Sequence, residues 1–204
     1  VVDFISFVPD HIEQNIALFS GITKQYIFIS SASIYQTPPE TLPVTENTPR
    51  ENPYWEYSRN KIACEDILFD RFAAEGFPAT IVRPSHTYDK TLLPMEGGYT
   101  VLHRILHNKP VVVHGDGSSL WTLTHHADFA KGLVGLFGNE QSIGEAYHIT
   151  SDELLSWNAI FEMVADAFGK TPNIVHVPSE IIARYHNDMG DSLLGDKTHS
   201  MIFD

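Results

Sequence analysis

Three side-chain types that can move protons fall in two short stretches, QYIFISSASIYQ at 25–36 and NPYWEYSRNKIACE at 52–65. The first runs an apolar strand into a cluster of serines. The second places Tyr57 four residues before Lys61. On a helix that spacing puts both side chains on one face, able to point together at a ligand. A phenol with an ordinary pKa near 10 is a poor base at neutral pH, and a nearby ammonium favours its phenolate. A hydroxyl at the C-terminal end of a parallel strand sits where open α/β sheets place their ligands, so Ser31 or Ser33 suits the task of polarising a substrate oxygen. Hydroxyl, phenol and ammonium together predict proton exchange with a substrate oxygen. Taken singly, the two stretches also read as a serine loop and an ordinary amphipathic helix, so the surrounding elements must decide.

Those elements alternate. VVDFISFVP reads as a buried strand over 1–9 that starts with no turn before it, as though upstream sheet precedes it. Pro9 opens a helix with Ile12, Ile16 and Leu18/Phe19 on one face and Gly21 as its stop. YIFIS is a second strand, and its continuous apolar character predicts a parallel sheet covered on both faces. A proline-rich loop over 36–53 is of a length usually kept for function. A helix over 54–75 ends at Gly76, and PATIVRP is a third buried strand. Further on come a helix near 98–108, the strand VVVHG, a helix from Asp128 to Phe137, the strand AYHIT, a helix over 156–168 and the strand NIVHVP. This order predicts an α/β fold built on a doubly wound parallel sheet.

The 204 residues suffice for one domain or slightly more, with a substantial core. A formal net charge of −13, with no run of Lys or Arg, makes nucleic acid an unfavoured partner. Cys64 is the only cysteine and reads as a small buried residue in a reducing, cytoplasmic setting. No apolar stretch reaches the length of a membrane span, and no signal peptide opens the chain.

The segments that follow one another in this chain resemble, in order, those of the extended short-chain dehydrogenase/reductases, which include the nicotinamide-dependent epimerases and dehydratases. YIFISSASIY resembles the strand ending in that family's catalytic Ser/Thr, YSRNK its YxxxK helix, and IVRPSHTYD its RPxNxYG segment. VVVHGDGSSLWTLTHHADFAKG resembles its GDGxQxRDFxHVxDxA stretch, and EAYHITSDELLSWNAIFEMVADAFG the strand and helix that follow. The resemblance implies a Rossmann-like cofactor domain over 1–84 and 126–150, and a smaller α/β substrate region over 85–125 and 151–204. It implies NAD or NADP as cofactor, a sugar-like substrate, and a homodimer as the assembly to look for. By position it makes Ser31 the catalytic Ser/Thr with Ser33 as close alternative, Tyr57 the acid/base, and Lys61 the residue that holds the nicotinamide ribose and lowers the Tyr57 pKa. Phe4, Ile5, Ser30, Pro84, Ser85 and His86 would also lie against cofactor, and Ser33, His86 and Trp121 against substrate.

Several positions depart from the family pattern. The glycine-rich phosphate turn has no counterpart, and Val1 matches the start of the family's fourth strand, so this chain is expected to lack the dinucleotide's binding half. Trp121 stands where nucleotide-sugar enzymes place an Arg for the diphosphate, His86 replaces the Asn of RPxNxYG, and Gln36 follows Tyr35 in place of Gly. An indole cannot make a bidentate pair with phosphate but can stack on a ring.

Among eleven histidines, His125, His126 and Asp128 form the best metal candidate, yet adjacent side chains of an extended segment point to opposite faces, so no metal site is expected. His103 and His107 share a helix face without the Glu of a zinc helix, and Asp116 reads as a turn residue. Two functions compete: an epimerase, dehydratase or reductase acting on a sugar or nucleotide sugar, and a non-catalytic relative such as a redox sensor or RNA-binding protein. A complete Ser/Tyr/Lys set and the acidic balance favour the enzyme.

Overall fold

The computed structural model describes all of residues 1–204. Its elements run β1 (Val2–Asp3), α1 (Pro9–Phe19), β2 (Tyr26–Ile29), α2 (Glu56–Glu75), β3 (Ala79–Pro84), β4 (His86–Tyr88), α3 (Tyr99–Leu106), β5 (Pro110–His114), β6 (Leu120–His125), α4 (His126–Gly135), β7 (Ala146–Ile149), β8 (Leu154–Ser156), α5 (Trp157–Asp166), β9 (Asn173–Val177), α6 (Ser179–Tyr185) and α7 (Asn187–Ser192). A π-helical turn, Leu193–Lys197, follows α7. No helix is long and apolar enough to cross a membrane.

Strands β1, β2, β3 and β7 form one parallel sheet in that order. All four residues of β2 are buried, as a strand covered on both faces requires. On one face Ile12 and Ile16 of α1 and Cys64 and Leu68 of α2 pack with Phe28 and Ile81. On the other, Phe129 and Leu133 of α4 pack with Ile27 and Val82. The remaining strands make two smaller sheets: β4 parallel to β6 with β8 antiparallel beside it, and β5 parallel to β9. Their core is built on Trp121, Trp157, Ile160 and Phe161, with Tyr35 and Val44 from the proline-rich loop.

The first strand is much shorter than 1–9. Asp3 turns the chain by accepting hydrogen bonds from the Ile5 and Ser6 amides at 3.0 Å each, so Phe4, Ile5 and Phe7 leave the sheet and stand exposed. A carboxylate that caps two backbone amides outweighs the apolar pattern after it. The fourth helix starts at His126, earlier than Asp128, because the His125 imidazole caps it by accepting from the Ala127 amide at 3.3 Å.

Candidate active site

At the C-terminal ends of β2 and β3 lies a cavity of about 330 Å³, lined by Ser31, Ser33, Trp55, Tyr57, Pro84, Ser85, His86, Trp121, Asp196 and Lys197 among others. Two local features place its floor. After β2, Ser31 caps a short 3-10 turn, Ala32–Ile34, by accepting from the Ser33 amide at 3.1 Å. Across from it Asn52 Oδ1 accepts from the Tyr54 and Trp55 amides at 3.2 and 3.1 Å, while Asn52 Nδ2 donates to Ser33 O at 2.8 Å. Asn52 thus ties the start of α2 to the serine turn and sets Tyr57 opposite Ser31.

The serines form a hydrogen-bonded chain. Ser58 Oγ donates to Ser33 Oγ at 2.8 Å, and Ser33 Oγ lies 2.9 Å from Ser31 Oγ. Either hydroxyl of the Ser31–Ser33 pair can donate, because the Ser33 oxygen keeps a second acceptor position beside the one that Ser58 fills. Ser33, buried and committed at both ends, serves this chain rather than a ligand directly. Ser30 is buried at the end of β2 with a hydroxyl that has no partner.

Tyr57 is half-buried, its ring 4.8 Å from Trp55 and 6.4 Å from Phe7 between centroids. Burial pushes its pKa up, the Ser31 hydroxyl draws it back, and the Asp196 carboxylate adds to the rise. The expected depression by Lys61 does not operate here. Lys61 Nζ stands 5.8 Å from the Tyr57 ring centroid and donates instead to Ser6 O and Ile29 O, at 2.8 Å each. Burial pulls the Lys61 pKa down to about 8. Of its three N–H groups one is left for a ligand.

Pro84, Ser85 and His86 follow β3 into the cavity wall. Ser85 Oγ pairs with Thr124 Oγ1 at 2.7 Å, fixing this corner to β6. Burial, and then the Lys197 charge, lower the His86 pKa to about 3, so its imidazole is neutral. Trp121 is 2 % exposed and stacks on Trp157, centroids 6.2 Å apart, so it meets the cavity as part of the wall and offers no open face for stacking. Its Nε1 hydrogen is buried with no acceptor. Phe4 and Ile5 stand at the end of β1, exposed. Sequence reasoning missed Trp55, Asp196 and Lys197. Trp55 adjoins the Tyr57 motif and so carried a signal, whereas the other two lie in a stretch without apolar periodicity.

The remaining candidates separate cleanly. His125 and His126 are not splayed, because the strand ends between them: their rings lie 4.3 Å apart, His126 Nδ1 pairs with Asp89 at 3.1 Å, and Asp128 pairs with Lys131 at 2.7 Å. His103 and His107 are exposed and stacked, and Asp116 accepts from Ser118 in a turn. Glu46, His148 and Asp204 come within 4.8 Å of one another, a cluster the sequence did not suggest. Glu46 Oε1 accepts from the His148 backbone amide at 2.9 Å, and Asp204 lies 3.5 Å from His148 Nδ1, which is buried without a hydrogen-bond partner. Cys64 is buried and its thiol pushed up to about 11, which suits a packed residue.

Strand ends, a free lysine N–H and the orphaned Ser30 hydroxyl meet the needs of a nicotinamide and its ribose. Nothing in the sequence supplies a glycine-rich turn for a pyrophosphate. Residues 13–150 match the model of the NAD-dependent epimerase/dehydratase family. The chain is 32% identical over 155 residues to a 2'-dehydrokanamycin reductase of Streptomyces kanamyceticus, covering 74% of this chain and 44% of that protein. It is 27% identical over 158 residues to the chloroplast stem-loop binding protein of 41 kDa b of Arabidopsis thaliana, covering 75% and 39%. Its fold matches a dTDP-glucose 4,6-dehydratase of Bacillus anthracis, solved in complex with NAD, with TM-score 0.77 and 20% identity over 87% of this chain and 59% of that one. The chain spans about half the length of the curated relatives it matches. With a family model matching well over half of it, the chain belongs to the NAD-dependent epimerase/dehydratase family.

Proposed function

We propose that the protein containing this chain is an NAD(P)-dependent enzyme acting at a carbonyl or hydroxyl carbon of a sugar-like substrate, with reduction of the carbonyl as its forward reaction. The observation that carries this reading is the convergence of Ser31, Tyr57 and His86 on one cavity at the strand ends. Lys61, through its remaining N–H, and the backbone of Pro84 to His86 would hold the nicotinamide end of the cofactor, which when bound supplies the hydride. Tyr57 gives its phenolic proton to the substrate oxygen as that oxygen gains charge. A phenol kept protonated by burial is suited to this direction. Ser31, at the cavity end of the serine chain, hydrogen-bonds the same oxygen and stabilises the developing charge. The neutral His86 imidazole orients the substrate without adding charge.

The 32% identity to a 2'-dehydrokanamycin reductase supports this direction over epimerisation. Similarity to a chloroplast stem-loop binding protein keeps the RNA-binding reading testable, while a net charge of −13 weighs against it. Replacing Tyr57 by Phe in the full-length protein is expected to leave folding and NAD(P)H affinity intact and to lower turnover by about 10²–10⁴-fold. Turnover within a few-fold of wild type would overturn the assignment.

A further inference from the structure

Three segments remote in sequence meet outside the candidate active site. The proline-rich loop brings Glu46, β7 brings His148, and the segment after the π turn brings Asp204. Backbone pairing fixes the approach: Val44 N donates to Ile202 O at 2.6 Å, and Asp204 N to Val44 O at 3.2 Å. Phe203 packs on His148 and Tyr35, with ring centroids 5.1 and 6.4 Å away. Asp204 is thus held in place by its own backbone and its neighbour's ring. One ligand atom from each of Glu46, His148 and Asp204 comes within 4.8 Å of the other two.

The two ring nitrogens of His148 are treated differently. Its side chain is 4% exposed. Nε2 is bonded to Tyr35 OH, whereas Nδ1 is buried with no hydrogen-bond partner and faces the two carboxyl groups. Asp204 Oδ1, at 3.5 Å, lies beyond the usual hydrogen-bond range. An imidazolium is disfavoured as well, because burial lowers the His148 pKa and Arg83 adds to that against the pull of Glu46 and Asp204. Nearby cations are already matched: Arg83 pairs with Glu65, and Arg50 with Glu65 and Asp66. A divalent cation meets all three groups at once and balances the two carboxylates. Nδ1 then offers its lone pair and Nε2–H is donated to Tyr35, the outer contact that orients a metal-bound imidazole. The 3.5 Å between Nδ1 and Oδ1 suits one edge of a tetrahedron with bonds of about 2.0–2.2 Å. The half-exposed Asp204 side leaves room for water as a fourth ligand.

We propose that Glu46, His148 and Asp204 form a binding site for a divalent transition-metal cation of the zinc type, which clamps the proline-rich loop and the 198–204 segment to β7. An imidazole ligand favours such an ion over Mg²⁺ or Ca²⁺. The inference does not depend on the reaction proposed above.

Calorimetric titration of Zn²⁺ into chelator-treated full-length protein tests it, with Mg²⁺ as the comparison ion and Glu46→Gln and Asp204→Asn as variants. Both substitutions keep the side-chain shape, and Glu46→Gln keeps an acceptor for the His148 amide. One Zn²⁺ per chain should bind in the micromolar range or tighter, and each variant should weaken it by about tenfold or more. Mg²⁺ should not displace it, and Zn²⁺ should raise the thermal midpoint of the wild type but not of the variants. Exposed histidines such as His103 and His107 would take up zinc independently of these carboxylates, so an affinity unchanged in either variant would overturn the site. Displacement by Mg²⁺ would overturn it too. So would no Zn²⁺ binding up to about 100 µM, which would leave a direct Nδ1–H to Asp204 hydrogen bond in its place.

Discussion

Three residues at successive four-residue steps along the inward face of α2 have very different surroundings. Tyr57 faces a cavity and is held only by neighbours at its edges. Lys61, one turn on, has two of its three donors fixed to backbone carbonyls. Glu65, a further turn on, is wholly buried and fully engaged: Arg83 grips it through Nε at 3.1 Å and through a terminal nitrogen at 2.7 Å, and Arg50 adds a contact at 3.1 Å. One helix face therefore runs from open to anchored within two turns. The difference teaches that the Glu65 end locks α2 to β3 and so fixes the helix that presents Tyr57 to the cavity.

Breaking the anchored end should have the largest effect on stability. Arg83 also donates to Tyr35 OH at 2.8 Å and to Glu46 O at 3.0 Å, so Arg83→Met strands a buried carboxylate and two acceptors. A loss of about 3–5 kcal/mol is expected, read from urea unfolding midpoints. A loss under about 1 kcal/mol would mean that Arg50 alone secures Glu65.

The middle position should respond less, and with a distinctive pH signature. Lys61→Met leaves Ser6 O and Ile29 O unfilled, a cost of about 1–3 kcal/mol each, but removes a charge that burial disfavours, so the two effects offset in part. The folded-state pKa of Lys61, about 8, lies below its ordinary 10.5. Between those values the unfolded chain binds the proton that the folded chain has lost, so wild-type stability should rise with pH from about 8 to 10.5. Lys61→Met should abolish that rise, and a rise that survives the substitution would assign it to another group. At the open end, Tyr57→Phe should change stability by less than about 1 kcal/mol, which thermal unfolding would show.

Legibility in the sequence follows the same division. The strands YIFIS and PATIVRP and the helix between them were readable because their apolar runs and periodicities are local, and the convergence of Ser31 with Tyr57 followed from strand end and helix face. The strand over 1–9 misled because the Asp3 cap ends it, a polar contact that an apolar pattern conceals. Strands β6 and β8 were not readable either, since the polar Thr122 and Thr124 are buried in β6 and the strands' partners lie far along the chain. Asp196 and Lys197 were the hardest to foresee. They reach the cavity through a contact between Asn52 and Gly195, residues that no local period connects. Lys61 was correctly placed on the Tyr57 face, but no sequence pattern reveals that backbone carbonyls claim its ammonium.

The proposal that Tyr57 is the proton-donating group of the cavity is tested most directly by its own ionisation. Ultraviolet difference titration of wild-type protein against Tyr57→Phe, without nucleotide, isolates this one phenol. The account predicts a Tyr57 pKa above the ordinary 10.0, because burial and Asp196 outweigh the Ser31 hydroxyl and Lys61 is turned to the backbone. Ionisation below 10.0 would contradict it, and would show the Lys61 charge acting on a phenolate base.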